Sequence, residues 1–199
     1  MERMGDDELK EAPSPFTTGI FDQLIDRNPD QKWIVMYESD RGCPYTCTYC
    51  YNSSTIDDIR GDLPSDVSDK LQDSKGMGNR LFPKNVRSVD DVIHECRDLV
   101  ERFTPSVIYF QDDVHGFDVN KWLPELARRW KKEVGIPYHA QMRWEMTRQA
   151  ERLDLIQDAG CFGLTLAIEA ADYQIRKEVL ARPMPEQDIF NGMRALVER

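Results

Sequence analysis

Four short apolar runs along this chain alternate with segments whose apolar residues recur at helical spacing. The runs cover residues 33–37, 106–110, 137–142 and 162–168. Runs of this length and composition are typical of strands that are buried on both faces of a sheet. Because strands and helices alternate, the pattern predicts right-handed crossovers and an α/β fold with a parallel sheet.

The segments between and after these runs predict amphipathic helices. One begins at a capping sequence that starts with Ser88, a second is predicted to begin at a cap formed by Asp118, and a third ends at Gly160. Two more helical stretches, 173–180 and 186–197, follow the last strand. In the final stretch, the apolar residues predicted to face inward are Ile189, Phe190, Met193, Leu196 and Val197.

Polar side chains follow every predicted strand at its carboxyl end. Three cysteines follow the first strand, Asp112 and Asp113 the second, Arg143 the third and Glu169 the fourth. In parallel strand–helix barrels the loops at these ends converge on one mouth, which holds the active site. The pattern therefore predicts one site built from these residues, although any one of the carboxylates also suits a turn or a helix cap.

Composition and charge limit the classes of partner that we expect for this chain. With 199 residues, 40% of them hydrophobic and 31% charged, the chain fits one soluble domain of ordinary size. Its formal net charge is -10, and an acidic surface repels phosphate groups, so neither nucleic acid nor a membrane surface is an expected partner. No stretch has the length of a membrane span or the apolar core of a signal peptide, which predicts a cytoplasmic location.

Three cysteines, Cys43, Cys47 and Cys50, lie in the loop after the first strand with the spacing C-x-x-x-C-x-x-C. Three thiolates so close together can hold three corners of a cubane iron–sulfur cluster. A cluster that only carries electrons normally takes four cysteine ligands. The motif therefore predicts a 4Fe-4S cluster with one iron left open for chemistry.

The three cysteines also have other interpretations. Structural zinc needs four ligands, and the candidates for a fourth have no partner at zinc-finger spacing: Cys96, Cys161, His94, His115 and His139. Cys47 and Cys50 alone match a thioredoxin-like dithiol, which leaves Cys43 unexplained. The odd number of cysteines disfavours a secreted disulfide framework. A non-catalytic iron–sulfur or zinc module is therefore the alternative to an enzyme.

The cysteine loop, residues 41–52, resembles that of the radical S-adenosylmethionine (SAM) superfamily, including the aromatic Tyr49 just before the third cysteine. Its Arg-Gly-Cys-Pro lead-in is most similar to the branch whose members carry a cobalamin-binding domain upstream. The resemblance implies a partial TIM-like barrel of six strand–helix units, of which this chain would supply about the first four. Its C-terminal end is then expected to be incomplete.

The same resemblance suggests a division of the chain. Residues 12–22 resemble the segment that joins the cobalamin domain to the radical core, so residues 1–32 are interpreted as an N-terminal arm or the remnant of an interdomain linker. Residues 33–199 are interpreted as the radical SAM core. A long polar stretch, 53–83, is interpreted as an insertion that could cover the open side of the barrel.

The resemblance also implies a reaction. Cys43, Cys47 and Cys50 would bind the cluster, and SAM would chelate the open iron through its amino and carboxylate groups. Reductive cleavage of SAM would give a 5'-deoxyadenosyl radical for hydrogen abstraction or methyl transfer on a small-molecule or peptide substrate, as in a methyltransferase or a cyclase. A flavodoxin or ferredoxin would supply the electron, and cobalamin would come from a domain that this chain does not contain.

Six further residues match places that contact SAM in the family: Tyr49, Asp112, Asp113, Arg143, Glu169 and Arg182. Tyr49 occupies the position that packs near the adenine. Asp112 and Asp113 replace the Gly-Gly-Glu that commonly holds the methionine ammonium, and a carboxylate there can still pair with it. Glu169 lies where the family contacts the ribose or the methionine. Each of the two arginines could bind the methionine carboxylate with two parallel hydrogen bonds.

Overall fold

The computed structural model describes residues 32–52 and 85–199, together with the isolated positions Gly19, Asp22 and Pro64. Apart from Pro64, the predicted insertion, 53–83, lies outside the described residues, as does the predicted arm, 1–32, apart from Gly19, Asp22 and Lys32. The strands are β1 (Ile34–Tyr37), β2 (Asp40–Arg41), β3 (Asn85–Val86), β4 (Val107–Phe110), β5 (Tyr138–Met142) and β6 (Cys161–Leu166).

The helices are α1 (Val89–Phe103), α2 (Trp122–Glu133), α3 (Ala150–Asp158) and α4 (Glu186–Val197). A 3₁₀ helix, Trp144–Arg148, precedes α3, and a π-helix, Ile175–Val179, forms within the predicted stretch 173–180. No helix in the described part of the chain is both long and apolar enough to cross a membrane.

The four long strands form one parallel sheet in the order β1-β4-β5-β6. Tyr37 is in register with Phe110, and Tyr138 with Cys161. Strands that are consecutive in this set are also neighbours in space, as in the wall of a barrel. The predicted α/β architecture with about four strand–helix units is therefore confirmed, and β2 and β3 add a small antiparallel pair.

The hydrophobic core lies between one face of this sheet and the helices. Tyr37, Phe110 and Tyr138 are buried there, and ring centroids of Phe110 and Tyr138 are 5.1 Å apart. The opposite face is open at β1, where Ile34 is 60% and Met36 is 65% exposed. The prediction of burial on both faces was wrong for this strand, because a wall of four strands does not close around its inner face.

The helix starts follow local hydrogen bonding. Ser88 caps α1 as predicted, since its side-chain oxygen accepts a hydrogen bond from the backbone N–H of Asp91 at 3.1 Å. The predicted cap at Asp118 was placed too early, because α2 begins only at Trp122. The Asp118 carboxylate accepts the backbone N–H groups of Asn120 and Lys121 in the turn that leads into the helix, and that of Trp122, the first helical residue, at 3.4 Å.

The last helix, α4, buries a different face from the one predicted. Ile189 is buried, whereas Phe190, Met193 and Val197 are 59%, 45% and 86% exposed. Gly192 explains the rotation, because a Cβ atom there would lie 2.5 Å from Thr147 Oγ1 and 2.8 Å from Trp144. The helix therefore packs on the 3₁₀ helix through its glycine, at a distance that a side chain would prevent.

Candidate active site

The cysteine loop leaves β2 at the carboxyl edge of the parallel sheet. All five cysteines are free thiols; Cys47 is buried, and Cys43 and Cys50 are partly buried. The N–H of Cys50 donates to the carbonyl of Cys47 at 3.1 Å, which folds the last two cysteines into a tight turn. Burial raises the pKa of the Cys43 thiol, and the nearby Arg143 acts in the opposite direction.

The loop is docked onto the segment that follows β6. The backbone N–H of Thr48 donates to the carbonyl of Leu180 at 3.2 Å, and its hydroxyl donates to the carbonyl of Val179 at 2.5 Å. These bonds join residues that are 131 or more positions apart in sequence. The loop after β6 is thereby held beside the cysteines.

Three of the residues predicted around SAM meet where these loops touch. Arg182 donates from Nη1 to Tyr49 Oη at 2.8 Å and to Glu169 Oε1 at 3.2 Å. Its Nη2 donates to the carbonyl of Ala167 at 2.9 Å. Burial raises the pKa of Tyr49 to about 12, although the bond from Arg182 acts in the opposite direction. Glu169 is in the left-handed region, at φ 70°, just past the end of β6.

Asp112 and Asp113, which were predicted as a joint candidate, have different surroundings. Asp112 is fully buried and accepts hydrogen bonds from the backbone N–H groups of Ser39 and Asp40 at 2.7 and 3.1 Å. The Ser39 hydroxyl and His115 Nδ1 also contact it, at 2.6 and 2.7 Å. Burial alone would raise the pKa of Asp112, but the bonds from His115 and Ser39 bring it below the usual value.

Asp113, in contrast, is exposed and lies at the cysteine loop. Its carboxylate accepts the backbone N–H of Gly42 at 3.0 Å and the side-chain amide of Asn52 at 2.8 Å. In sequence, Gly42 lies just before the three cysteines and Asn52 just after them. Asp113 is therefore the member of the pair that borders the loop, whereas Asp112 joins the end of β4 to the chain after β1.

Arg143 lies against the cysteine loop. Its Nη1 donates to Cys47 Sγ at 2.9 Å, and its Nη2 donates to Glu145 Oε1 at 2.7 Å. Its guanidinium carbon lies 3.8 Å from the centroid of the Tyr45 ring. Burial would lower the pKa of Arg143, but Glu145 and Cys47 raise it above its usual value. Sequence reasoning missed Tyr45 and Glu145 as partners, although Glu145 follows Arg143 by two residues.

A second buried arginine, Arg176, was also missed and shapes the loop that carries Arg182. It is 1% exposed and donates to the carbonyls of Met184, Ala170 and Ala171 at 3.1, 2.7 and 2.7 Å. It also pairs with Glu186 at 2.6 Å. These contacts tie the two ends of the loop together, and the sequence around Arg176 has no pattern that singles it out.

The three cysteines of the loop match the donor set of a cluster that is held at three corners. Among the described residues, no three His, Cys, Asp or Glu side chains converge on one ion. A cubane does not need such convergence, because each thiolate binds a different iron. Two candidates for a fourth zinc ligand, Cys96 and His115, are buried in the core, where His115 bonds to Asp112.

The family comparison agrees with this donor set. The Radical SAM superfamily matches residues 37–199, which is most of the chain. This chain belongs to the radical SAM superfamily. Membership implies a 4Fe-4S cluster and SAM as cofactors, and radical SAM enzymes use a reductant and small-molecule substrates.

Two methyltransferases are similar to this radical SAM chain. It is 26% identical over 178 residues to cytidylyl-2-hydroxyethylphosphonate methyltransferase of Streptomyces wedmorensis, covering 89% of this chain and 26% of that protein. It is 28% identical over 67 residues to the cobalamin-dependent radical SAM methyltransferase TokK of Streptomyces tokunonensis, covering 32% of this chain and 10% of TokK. The chain thus spans about a quarter of the first relative's length.

The fold is similar to that in the crystal structure of methylornithine synthase (PylB). The TM-score is 0.54 at 12% identity, and the match covers 99% of this chain and 53% of PylB. At this identity the similarity shows the fold alone, and it confirms the predicted partial radical SAM barrel.

Proposed function

We propose that this chain is the cluster- and SAM-binding core of a radical SAM methyltransferase of the cobalamin-associated type. The observation that carries the proposal is the docking of the cysteine loop on the segment after β6. Thr48 and Tyr49 of the loop bond to this segment, and Tyr49 does so through Arg182. The names of the two relatives favour methyl transfer over cyclisation. Residues 33–199 form this core in the proposal, and residues 1–32 lead into it.

Each part of the site then has a task. Cys43, Cys47 and Cys50 hold the cluster, which when bound and reduced supplies the electron for cleavage of SAM to a 5'-deoxyadenosyl radical. Asp113 pairs with the methionine ammonium, because its carboxylate is exposed at the cysteine loop, whereas that of Asp112 is fully buried.

The SAM-facing group on the other side of the loop is Arg182 with its neighbours. Arg182 binds the methionine carboxylate, because it is hydrogen-bonded to Tyr49 and Glu169, the other two residues assigned to SAM on this side. Tyr49 and Glu169, which share the Nη1 of Arg182, contact the adenine and the ribose. The hydrogen bonds among the three side chains orient them before SAM enters.

Further components come from outside the chain in this proposal. Cobalamin is bound by another domain, the electron is delivered by a flavodoxin or ferredoxin, and the substrate is a small molecule, with a peptide as the second candidate. The acidic composition, with a net charge of -10, disfavours nucleic acid and membrane surfaces as partners. A cytoplasmic location remains the prediction.

The experiment that tests this function is SAM cleavage by the protein reconstituted anaerobically with iron and sulfide. After reduction with dithionite, we expect 5'-deoxyadenosine to form from SAM, measured by chromatography and mass spectrometry. The protein in which Cys43, Cys47 and Cys50 are all alanine is the control and should form none. A wild-type protein that carries its full cluster but yields no 5'-deoxyadenosine would instead support the electron-transfer module, and bound zinc would support the zinc module.

A second prediction concerns the affinity for SAM. Replacing Arg182→Lys keeps the positive charge but removes the fork that can bind a carboxylate with two hydrogen bonds, so the dissociation constant for SAM should rise about tenfold, or ~1.4 kcal/mol. The constant is measured by calorimetry on the reconstituted protein. The matched control is Arg128→Lys, at an exposed arginine of α2. Equal affinities for the wild type and Arg182→Lys would remove Arg182 from the SAM site.

A further inference from the structure

The Arg143 guanidinium lies in direct contact with one of the three cysteine sulfurs. Its Nη1 is 2.9 Å from Cys47 Sγ, and both residues are buried, at 7% and 6% exposure. An N–H group at this distance from a sulfur donates a hydrogen bond to it. Because water is largely excluded here, the fixed positive charge acts on the sulfur with little screening.

Two neighbours hold the guanidinium in this orientation. The Tyr45 ring lies 3.8 Å from its central carbon, which is stacking distance, and Glu145 accepts from Nη2 at 2.7 Å. Glu145 itself is partly buried, and its second carboxylate oxygen finds no hydrogen-bond partner among the described residues. The positive charge of Arg143 therefore contacts the Cys47 sulfur directly, and the negative charge of Glu145 contacts the guanidinium.

The reduction potential of an iron–sulfur cluster depends on hydrogen bonds to its sulfurs, on nearby charge and on exposure to solvent. We propose that Arg143 raises the reduction potential of the cluster bound at Cys47, and that Glu145 sets the size of this effect by offsetting its charge. The inference rests on the proposed function, since it requires Cys47 to be a cluster ligand. The step concerned is the gain of one electron by the cluster from an external reductant, with no bond made or broken in the protein.

This role differs from the one that resemblance implies for Arg143, which is contact with the methionine carboxylate. Its Nη1 and Nη2 already donate to Cys47 and Glu145, so a carboxylate contact would have to use the remaining N–H groups of the guanidinium. The Nε of Arg143 and the Nε of Arg182 are both buried and without a partner among the described residues, so this atom does not distinguish the two arginines. The two roles for Arg143 predict different changes in the same variants.

The test is a redox titration of the reconstituted protein, monitored by electron paramagnetic resonance (EPR), for Arg143→Met and Glu145→Gln. In Arg143→Met, the ratio of reduced to oxidised cluster at a fixed potential should fall about tenfold, which is a 59 mV drop in midpoint for one electron. In Glu145→Gln the midpoint should move upward, because a negative charge is lost while the amide oxygen can still accept from Arg143. The control, Arg128→Met, removes an equal charge from the exposed surface and should leave the midpoint unchanged.

Opposite shifts in the two variants would support the inference, because a purely structural role for either residue has no reason to reverse sign. Full cluster loading with unchanged midpoints in both would overturn it, as would unchanged midpoints together with weaker SAM binding in Arg143→Met, the signature of a carboxylate contact. If Arg143→Met fails to hold a cluster, an upward shift in Glu145→Gln decides for the inference and a downward or absent shift decides against it. If the wild-type protein binds no cluster, the proposed function fails and the inference fails with it. If the wild-type protein carries its cluster, the midpoints of the variants test the inference alone.

Discussion

Replacing Cys43, Cys47 and Cys50 together with alanine is expected to abolish the absorption of a cubane cluster and to reduce bound iron to background. The three thiolates are the cluster's protein ligands in the proposed function. His115 is fully buried, and its ring packs against Phe110, Trp122 and Tyr138 in the core, so we do not expect it to replace a lost ligand. Visible absorption and iron and sulfide analysis after anaerobic reconstitution measure the effect.

The matched control for this variant is Cys161→Ala. Cys161 is partly buried like Cys43, but it lies at the start of β6, at the opposite end of the strands from the loop, and its thiol donates to the carbonyl of Gly163 at 3.1 Å. It should retain the spectrum of the wild type. A triple variant with an unchanged spectrum would show that other residues ligate the iron.

Replacing Asp112→Ala should lower the free energy of unfolding by about 3–5 kcal/mol, the range for removing one partner of a buried charged network. Four donors lose their acceptor, from Ser39, Asp40 and His115. In Asp112→Asn the loss should be smaller, about 1–2 kcal/mol, because the amide keeps one oxygen and its NH₂ can donate to Ser39 Oγ and His115 Nδ1. Urea denaturation followed by circular dichroism measures both.

The control for these variants is Asp98→Ala, an exposed carboxylate on α1 that lies 3.8 Å from His94. It should change stability by no more than ~0.5 kcal/mol. Similar losses for Asp98→Ala and Asp112→Ala would contradict the assignment of Asp112 as the buried link between β4 and the chain after β1.

The stabilisation by Asp112 should also depend on pH in one direction. Its pKa is lower in the folded protein than in the unfolded chain, so the ionised group stabilises the fold above the unfolded pKa of about 3.9. This contribution is lost as the pH falls through the lower pKa of the folded protein. The stability difference between the wild type and Asp112→Asn should therefore be constant near neutral pH and shrink below about pH 4.

Much of the fold was predictable because its signals are local. Apolar runs marked the strands, and the capping serine Ser88 and the apolar face behind it placed α1 correctly. The face of α4 was not predictable in this way. Its orientation depends on Gly192 lying against Trp144 and Thr147, a contact between distant residues that the helical periodicity of α4 does not record.

The same distinction applies to the site. Strand ends predicted that the cysteines, the aspartates, Arg143 and Glu169 gather at one edge, and the structure brings Tyr49, Glu169 and Arg182 into one hydrogen-bonded group. Nothing local distinguishes Asp112 from Asp113, because their burial is decided by the chain after β1. The roles of these residues toward SAM remain proposals.

The central claim is a cluster held by three protein ligands with one iron open to SAM. The measurement that tests it most directly is EPR of the reconstituted, reduced protein with and without SAM. We predict a cluster signal that changes on addition of SAM, since only an iron with an open coordination position can bind it directly. A fully loaded cluster whose signal is the same with and without SAM would contradict the claim.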